Sequence, residues 1–191
     1  KYSISIMQVK NYKEPFYHSI ITDFYTPSEL EEVFVEIEDL KVHLSDTRDD
    51  GDPRSDNMKA LHLDKVYKDN RGDSKILQYN RKIFELQEEL KDNIFAEYLQ
   101  MCNFDVTQLN YYHNGLYHEH KDHAVLSAVS LLHKEPKPYT GGELVFTDYR
   151  FTPDLQNNSV ILFPSFMTHA VEPVLGSGRH SLNQFFFVHI G

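Results

Sequence analysis

Apolar positions divide the chain into two halves with different periods. Over Pro27 to Leu40, the residues Leu30, Val33, Phe34, Ile37 and Leu40 recur every three or four positions, which predicts one amphipathic helix. Thr26-Pro27-Ser28-Glu29 supplies its start. Thr26 can cap, Pro27 suits the first helical position, and Glu29 can close a capping box. A second helical pattern covers residues 73–101. There Ile76, Leu77, Ile83, Phe84, Leu86, Leu90, Ile94 and Phe95 fit one broad face, which predicts a long helix backing a sheet. Alternation predicts strands at residues 1–9 (KYSISIMQV) and 59–67 (KALHLDKVY). Residues 45–57, SDTRDDGDPRSDN, have no apolar side chain and contain Gly and Pro, so they read as a mobile loop.

From residue 105 the period shortens. VTQLNYYH, AVLSAVSLL, GELVFTD, SVILFPS, HAVEPVL and SLNQFFFVHI follow one another with Gly, Pro and Asn between them. Short strands in quick succession predict a sandwich or barrel. The expected fold is therefore mainly β with an α+β character: a jelly roll over residues 105–191, supported by helices from residues 1–104. At 191 residues one domain accounts for the whole chain.

Composition narrows the function. The hydrophobic share of 40% fits a folded globular protein. A formal charge of −10 disfavours nucleic acid and anionic membrane as partners, since both call for a basic face. No apolar run approaches a membrane span and no signal-peptide pattern opens the chain, which starts at Lys1. The single cysteine, Cys102, has no partner for an internal disulfide. Together these features lead us to expect a reducing, cytoplasmic location.

The chemistry concentrates in YYHNGLYHEHKDH, residues 111–123. On a strand, residues two apart share a face, so His120 and Asp122 aim an imidazole and a carboxylate together. That is part of a two-histidine, one-carboxylate facial triad, which leaves positions on iron open for substrate and oxygen. His62-Leu63-Asp64 repeats the spacing, so the pair alone has little specificity. A third ligand has to come from a distant strand, and His169 opens one. Arg179 follows in the next strand, where a guanidinium can clamp a carboxylate. Taken singly, His169 reads more readily as a partly buried structural histidine and Arg179 as a surface ion-pair partner; the spacing of the whole set favours function. His113, His118 and His123 are expected to face solvent or to surround the ligands. A structural zinc site would usually enlist more cysteine than Cys102 alone.

The stretch LNYYHNGLYHEHKD resembles the metal-binding segment of prolyl 4-hydroxylases, with Tyr111, Gly115, Tyr117, His120 and Asp122 in matching places. GGELVF resembles a strand start of that family through Gly141, Gly142 and Phe146. HAVEPVLGSGRHSLNQFF resembles its distal segment through His169, Pro173, Val174, Leu175 and Asn183. The similarity runs from about residue 107 to 188. It implies the Fe(II)- and 2-oxoglutarate-dependent dioxygenase superfamily and a double-stranded β-helix. Arg179 stands where collagen-type members have lysine, as in oxygen-sensing and many bacterial relatives. Either cation can hold the far carboxylate of 2-oxoglutarate.

The resemblance implies that His120, Asp122 and His169 hold Fe(II), and that Arg179 holds 2-oxoglutarate. Tyr111 is expected to supply a hydroxyl to the same carboxylate, with Ser181 and Asn183 further along the face of Arg179. The reaction implied is hydroxylation of an aliphatic C–H bond with O2, ascorbate acting as supporting reductant. The substrate implied is a prolyl residue in a peptide or protein. Hydroxylation of a free amino acid or another small molecule is the alternative, and a non-catalytic jelly-roll binding module is a more distant one. Residues 45–57 read either as a lid over the substrate or as a plain surface loop, and Arg54 and Ser55 loosely resemble an R-x-S element there.

Overall fold

The computed structural model describes residues 6–47 and 54–188. In chain order the elements are β1 (Gln8–Tyr12), β2 (His18–Thr22), α1 (Pro27–Leu40), β3 (Ser45–Asp46), β4 (Ser55–His62), α2 (Leu63–Val66), α3 (Lys75–Asn80), β5 (Phe104–His120), β6 (Leu126–Leu132), β7 (Tyr139–Gly141), β8 (Leu144–Phe146), β9 (Ser159–Pro164), β10 (His169–Val171) and β11 (Val174–Phe187). All strand pairs are antiparallel. They form one curled sheet in the order β1-β2-β9-β6-β11-β5-β10-β8, with β3 and β4 continuing from β5 and β7 paired to β11.

Strand alternation gives this sheet two apolar faces. The concave face gathers Met58, Tyr112, Val129, Phe146, Ile161 and Phe163 into the barrel interior. The convex face turns Leu109, Leu132, Val160, Leu162, Leu182 and Phe186 towards the helices. There α1 lays down Val33, Ile37 and Leu40, each worth roughly 1.5–3 kcal/mol on full burial. The predicted capping box of α1 forms: Thr26 Oγ1 accepts from the Glu29 amide at 3.3 Å, and Glu29 Oε2 accepts from the Thr26 amide at 2.8 Å.

Four expectations need correction. Residues 73–101 are not one long helix: α3 passes into 3-10 turns at Arg81–Glu85 and Ile94–Gln100. Buried Asn93 is one cause. Its Oδ1 accepts from the Phe95 amide at 3.1 Å and its Nδ2 donates to Ser19 Oγ at 2.9 Å, so the side chain starts a new turn. The segment thus wraps the sheet while keeping Ile83, Leu86, Leu90 and Leu99 buried. Residues 59–67 divide between the end of β4 and α2. The stretch read as a loop at 45–57 contributes Ser45–Asp46 and Ser55–Asn57 to paired strands, while residues 48–53 lie outside the described set. Of the strand expected over residues 1–9, residues 6 and 7 precede β1, which runs Gln8–Tyr12, and residues 1–5 lie outside the described set. Among the described residues no helix is long and apolar enough to cross a membrane.

Candidate metal centre

Three ligand-capable side chains converge where β5 ends and β10 begins. His120 and His169 are direct partners across the β5–β10 ladder, and their rings lie 4.3 Å apart. Asp122 sits beyond the end of β5, so it does not share a strand face with His120 as alternation suggested. Its position comes instead from its own amide, which donates to the Ser165 carbonyl at 3.0 Å. Asp122 Oδ1 then lies 3.6 Å from His120 Nε2, and Oδ2 lies 3.6 Å from His169 Nε2. One ligand atom from each residue falls within 4.8 Å of the others.

The surroundings prepare these groups for a cation. His120 Nδ1 donates to the His118 carbonyl at 2.8 Å, and His169 Nδ1 donates to the Met167 carbonyl at 2.9 Å. Each bond selects the tautomer with a lone pair on Nε2, the atom turned towards Asp122. Burial, reinforced by His169 alongside, pushes the His120 pKa down to about 4, which keeps the imidazole neutral at physiological pH. Ser127 Oγ donates to Asp122 Oδ2 at 2.6 Å and exchanges a bond of 2.8 Å with Ser165 Oγ, fixing the carboxylate. Tyr117 packs its ring 4.0 Å from that of His120, and buried Phe146 lies 6.0 Å from His169.

Arg179 is 2% exposed and lies inside the barrel. Its Nε donates to the Gly142 carbonyl at 2.8 Å, while its Nη1 is buried without a hydrogen-bond partner. Such an atom marks a place for an acceptor that the protein does not supply. Gly142 is required here: its φ is +77°, and a Cβ would come within 2.8 Å of Arg179 Cδ. Arg179 also borders a cavity of about 480 Å³ that includes Leu131, Tyr139 and Leu144 and does not include the His120–Asp122–His169 cluster.

The tyrosine beside Arg179 is Tyr112, not Tyr111. The guanidinium carbon sits 4.6 Å from the centre of the Tyr112 ring. Tyr111 points to the other face, where its ring packs 5.1 Å from His180. The cause is the β11–β5 register, in which Arg179 pairs with Tyr112 at the head of an unbroken ladder running to Phe187–Phe104. Ser177 pairs with His113 but Arg179 pairs with Tyr112, so the chain bulges at Gly178, whose φ is +94°. Ser181 and Asn183 continue the face of Arg179, as alternation predicted. Ser181 accepts from Asn110 Nδ2 at 3.4 Å, and Asn183 Oδ1 is buried and unpartnered.

The remaining candidates fall elsewhere. His113, His118 and His123 are exposed, and His118 Nε2 faces Asp56 at 3.3 Å. Arg54 and Ser55 lie beside the cluster: the Arg54 guanidinium is 5.6 Å from the Tyr117 ring centre, and Ser55 pairs with Tyr117. The second His-x-Asp pair is structural. Asp64 binds Arg71 and accepts from the Thr107 amide, while Arg71 and Arg81 both pair with buried Asp105. Sequence reasoning missed Tyr112, Ser127 and Ser165. Adjacent tyrosines signal one inward ring without saying which, and the two serines carry no spacing signal.

Residues 107–187 match the model of the 2OG-Fe(II) oxygenase superfamily. No curated protein sequence matches the chain. Among solved structures, a prolyl-4-hydroxylase from Pseudomonas putida is 17% identical with a TM-score of 0.66, the alignment covering 91% of this chain and 93% of that one. A viral collagen prolyl hydroxylase from Paramecium Bursaria Chlorella virus-1, solved with 2OG, is 16% identical with a TM-score of 0.61, covering 91% and 97%. A Trichoplax adhaerens prolyl hydroxylase, in complex with a hypoxia inducible factor peptide fragment, is 18% identical with a TM-score of 0.62, covering 90% and 83%. The chain is thus similar to this superfamily over its strand-rich half and has the double-stranded β-helix fold of the prolyl 4-hydroxylases.

Proposed function

We propose that the protein is an Fe(II)- and 2-oxoglutarate-dependent hydroxylase whose substrate is a prolyl residue in a peptide or protein. One observation carries the reading. A two-histidine, one-carboxylate cluster shares a barrel with a buried arginine whose Nη1 has no acceptor. The donor set suits Fe(II), and the orphaned guanidinium nitrogen suits a carboxylate oxygen.

In this reading His120, Asp122 and His169 hold the metal. When bound, iron and 2-oxoglutarate supply the oxygen chemistry: the oxoacid becomes succinate and carbon dioxide, and one oxygen atom enters a substrate C–H bond. The chain itself supplies position. The carbonyls of His118 and Met167 hold the two imidazoles with Nε2 free, and Ser127 fixes the carboxylate between them. Arg179 and Tyr112 hold the far carboxylate of 2-oxoglutarate, with Ser181 on the same face. Phe146, Phe163, Leu144 and Val174 wall the interior and keep water from it. Ascorbate acts as supporting reductant. The proline preference draws support from the neighbouring folds, one of which carries a peptide.

The experiment is succinate release from 2-oxoglutarate by the purified protein with Fe(II), ascorbate and oxygen, with and without proline-containing peptides. Turnover that rises with a peptide gaining one oxygen atom supports both parts of the proposal. Slow turnover indifferent to peptides keeps the oxygenase and moves the substrate to a small molecule. Iron binding without any turnover leaves a binding module.

A further inference from the structure

The turn joining β9 to β10 touches two of the candidate ligands. Ser165 accepts the Asp122 amide at 3.0 Å, and Met167 accepts His169 Nδ1–H at 2.9 Å. Between them Phe166 turns outward and is 56% exposed. Its ring meets Phe95 edge-on at 5.8 Å. Phe95 in turn stacks on Tyr98 at 6.5 Å and meets Tyr17 at 6.2 Å. Tyr98 is 43% exposed, and Ile94 and Met101 nearby are more so. Single exposed apolar residues are ordinary on a protein surface, but a contiguous aromatic patch beginning one residue from a metal-positioning turn is not.

We propose that this patch, Phe166 with Phe95, Tyr98 and Tyr17, is where the peptide substrate docks beside the metal centre, and that the peptide is proline-containing and neutral or basic. The inference rests on the hydroxylase reading for its choice of occupant. Flat aromatic faces pack against the rings of an extended proline-bearing chain, which loses little conformational freedom on binding. Continuity with the turn that orients Asp122 and His169 favours a substrate over an unrelated partner. The net charge of −10 opposes an acidic segment.

The test uses the absence of tryptophan from the chain. Phe166→Trp places a single fluorescent reporter on the patch, and Tyr98→Trp places one at its other end. Each variant is titrated with short peptides alternating lysine with proline and glutamate with proline. The expected result is a saturable change in emission with the lysine–proline peptide, and binding about tenfold weaker for the glutamate–proline peptide. Tyr98→Ala in the Phe166→Trp protein should weaken the first interaction about tenfold, the loss of one aromatic anchor. No response at either reporter, or equal response to both peptides, overturns the proposal. Emission that depends on protein concentration without peptide also overturns it, since a second copy then covers the patch. Succinate release by the unmodified protein is measured separately. Its absence with docking intact would sink the oxygenase reading and leave the patch as a peptide-binding surface.

Discussion

Arg179 and Tyr112 face each other across the β11–β5 ladder, the guanidinium carbon 4.6 Å from the ring centre. The pair joins the cation that would bind 2-oxoglutarate to a hydroxyl that can share the same carboxylate. Its neighbour Tyr111 is on the opposite face against His180.

Tyr112→Phe should therefore raise the 2-oxoglutarate concentration needed for half-maximal turnover about tenfold, the worth of one hydrogen bond to a charged group. Arg179→Ala should raise it further. Tyr111→Phe should leave it within about twofold. Steady-state kinetics on the three variants decides, and a larger effect from Tyr111 would reverse the assignment.

Ser127 holds Asp122 Oδ2 at 2.6 Å without belonging to the triad. Ser127→Ala should weaken Fe(II) binding about tenfold, the usual cost of losing an outer-shell partner. Asp122→Ala should abolish stoichiometric binding, whereas Asp64→Ala should not alter affinity, although it carries the same His-x-Asp spacing. Calorimetric titration under anaerobic conditions gives all three.

Gly142 combines a φ of +77° with a Cβ position crowded by Arg179 Cδ. Gly142→Ala should cost roughly 1–3 kcal/mol of stability through backbone strain and should displace the arginine. Urea melts and the 2-oxoglutarate requirement should both worsen. Unchanged values would mean that the loop relaxes freely.

His180 lies on the helix-facing side of β11, 4% exposed, with both ring nitrogens unpartnered. Burial, and after it the charge of Lys41, pushes its pKa down to about 4. The unfolded chain takes up a proton near pH 6.5 that the folded chain refuses, so this residue's effect is absent above pH 6.5. Stability then falls as pH drops from there towards 4, by on the order of 3 kcal/mol. His180→Phe should flatten that part of the stability profile relative to the unaltered protein. Parallel profiles would show that His180 protonates in place.

Asp105 is 2% exposed and holds both Arg71 and Arg81. Asp105→Ala removes the buried acceptor of Gln184 Nε2 and should cost about 1–3 kcal/mol in urea melts, while Arg71 keeps Asp64. Fe(II) affinity should not change, because the network ties the helical segments to the convex side of β5. A loss of iron binding without loss of stability would show that the network supports the metal cluster.

Much of the molecule was written locally. Thr26 to Glu29 specified the start of α1, and the order of short apolar runs specified the strands of the barrel. His120, Asp122 and His169 could be named because ligand chemistry restricts residue type and the family motif restricts spacing. The 73–101 segment misled because apolar residues that wrap a sheet in short turns can also fit a helical stripe. Asn93 breaks it through a bond to Ser19, far away in sequence.

The sequence by itself determined which side chains could ligate a metal, which residues begin the first helix, and that short strands follow one another from residue 105. These depend on side-chain chemistry and on periods of a few residues. Tertiary structure alone decided that Asp122, beyond the end of its strand, is drawn back by Ser165, that Phe166 stands exposed beside it, and that Arg179 meets Tyr112. The last follows from the β11–β5 register, unbroken from Arg179–Tyr112 to Phe187–Phe104. Strand register is a relation between two segments, and a slip of one residue exchanges the faces of a whole strand.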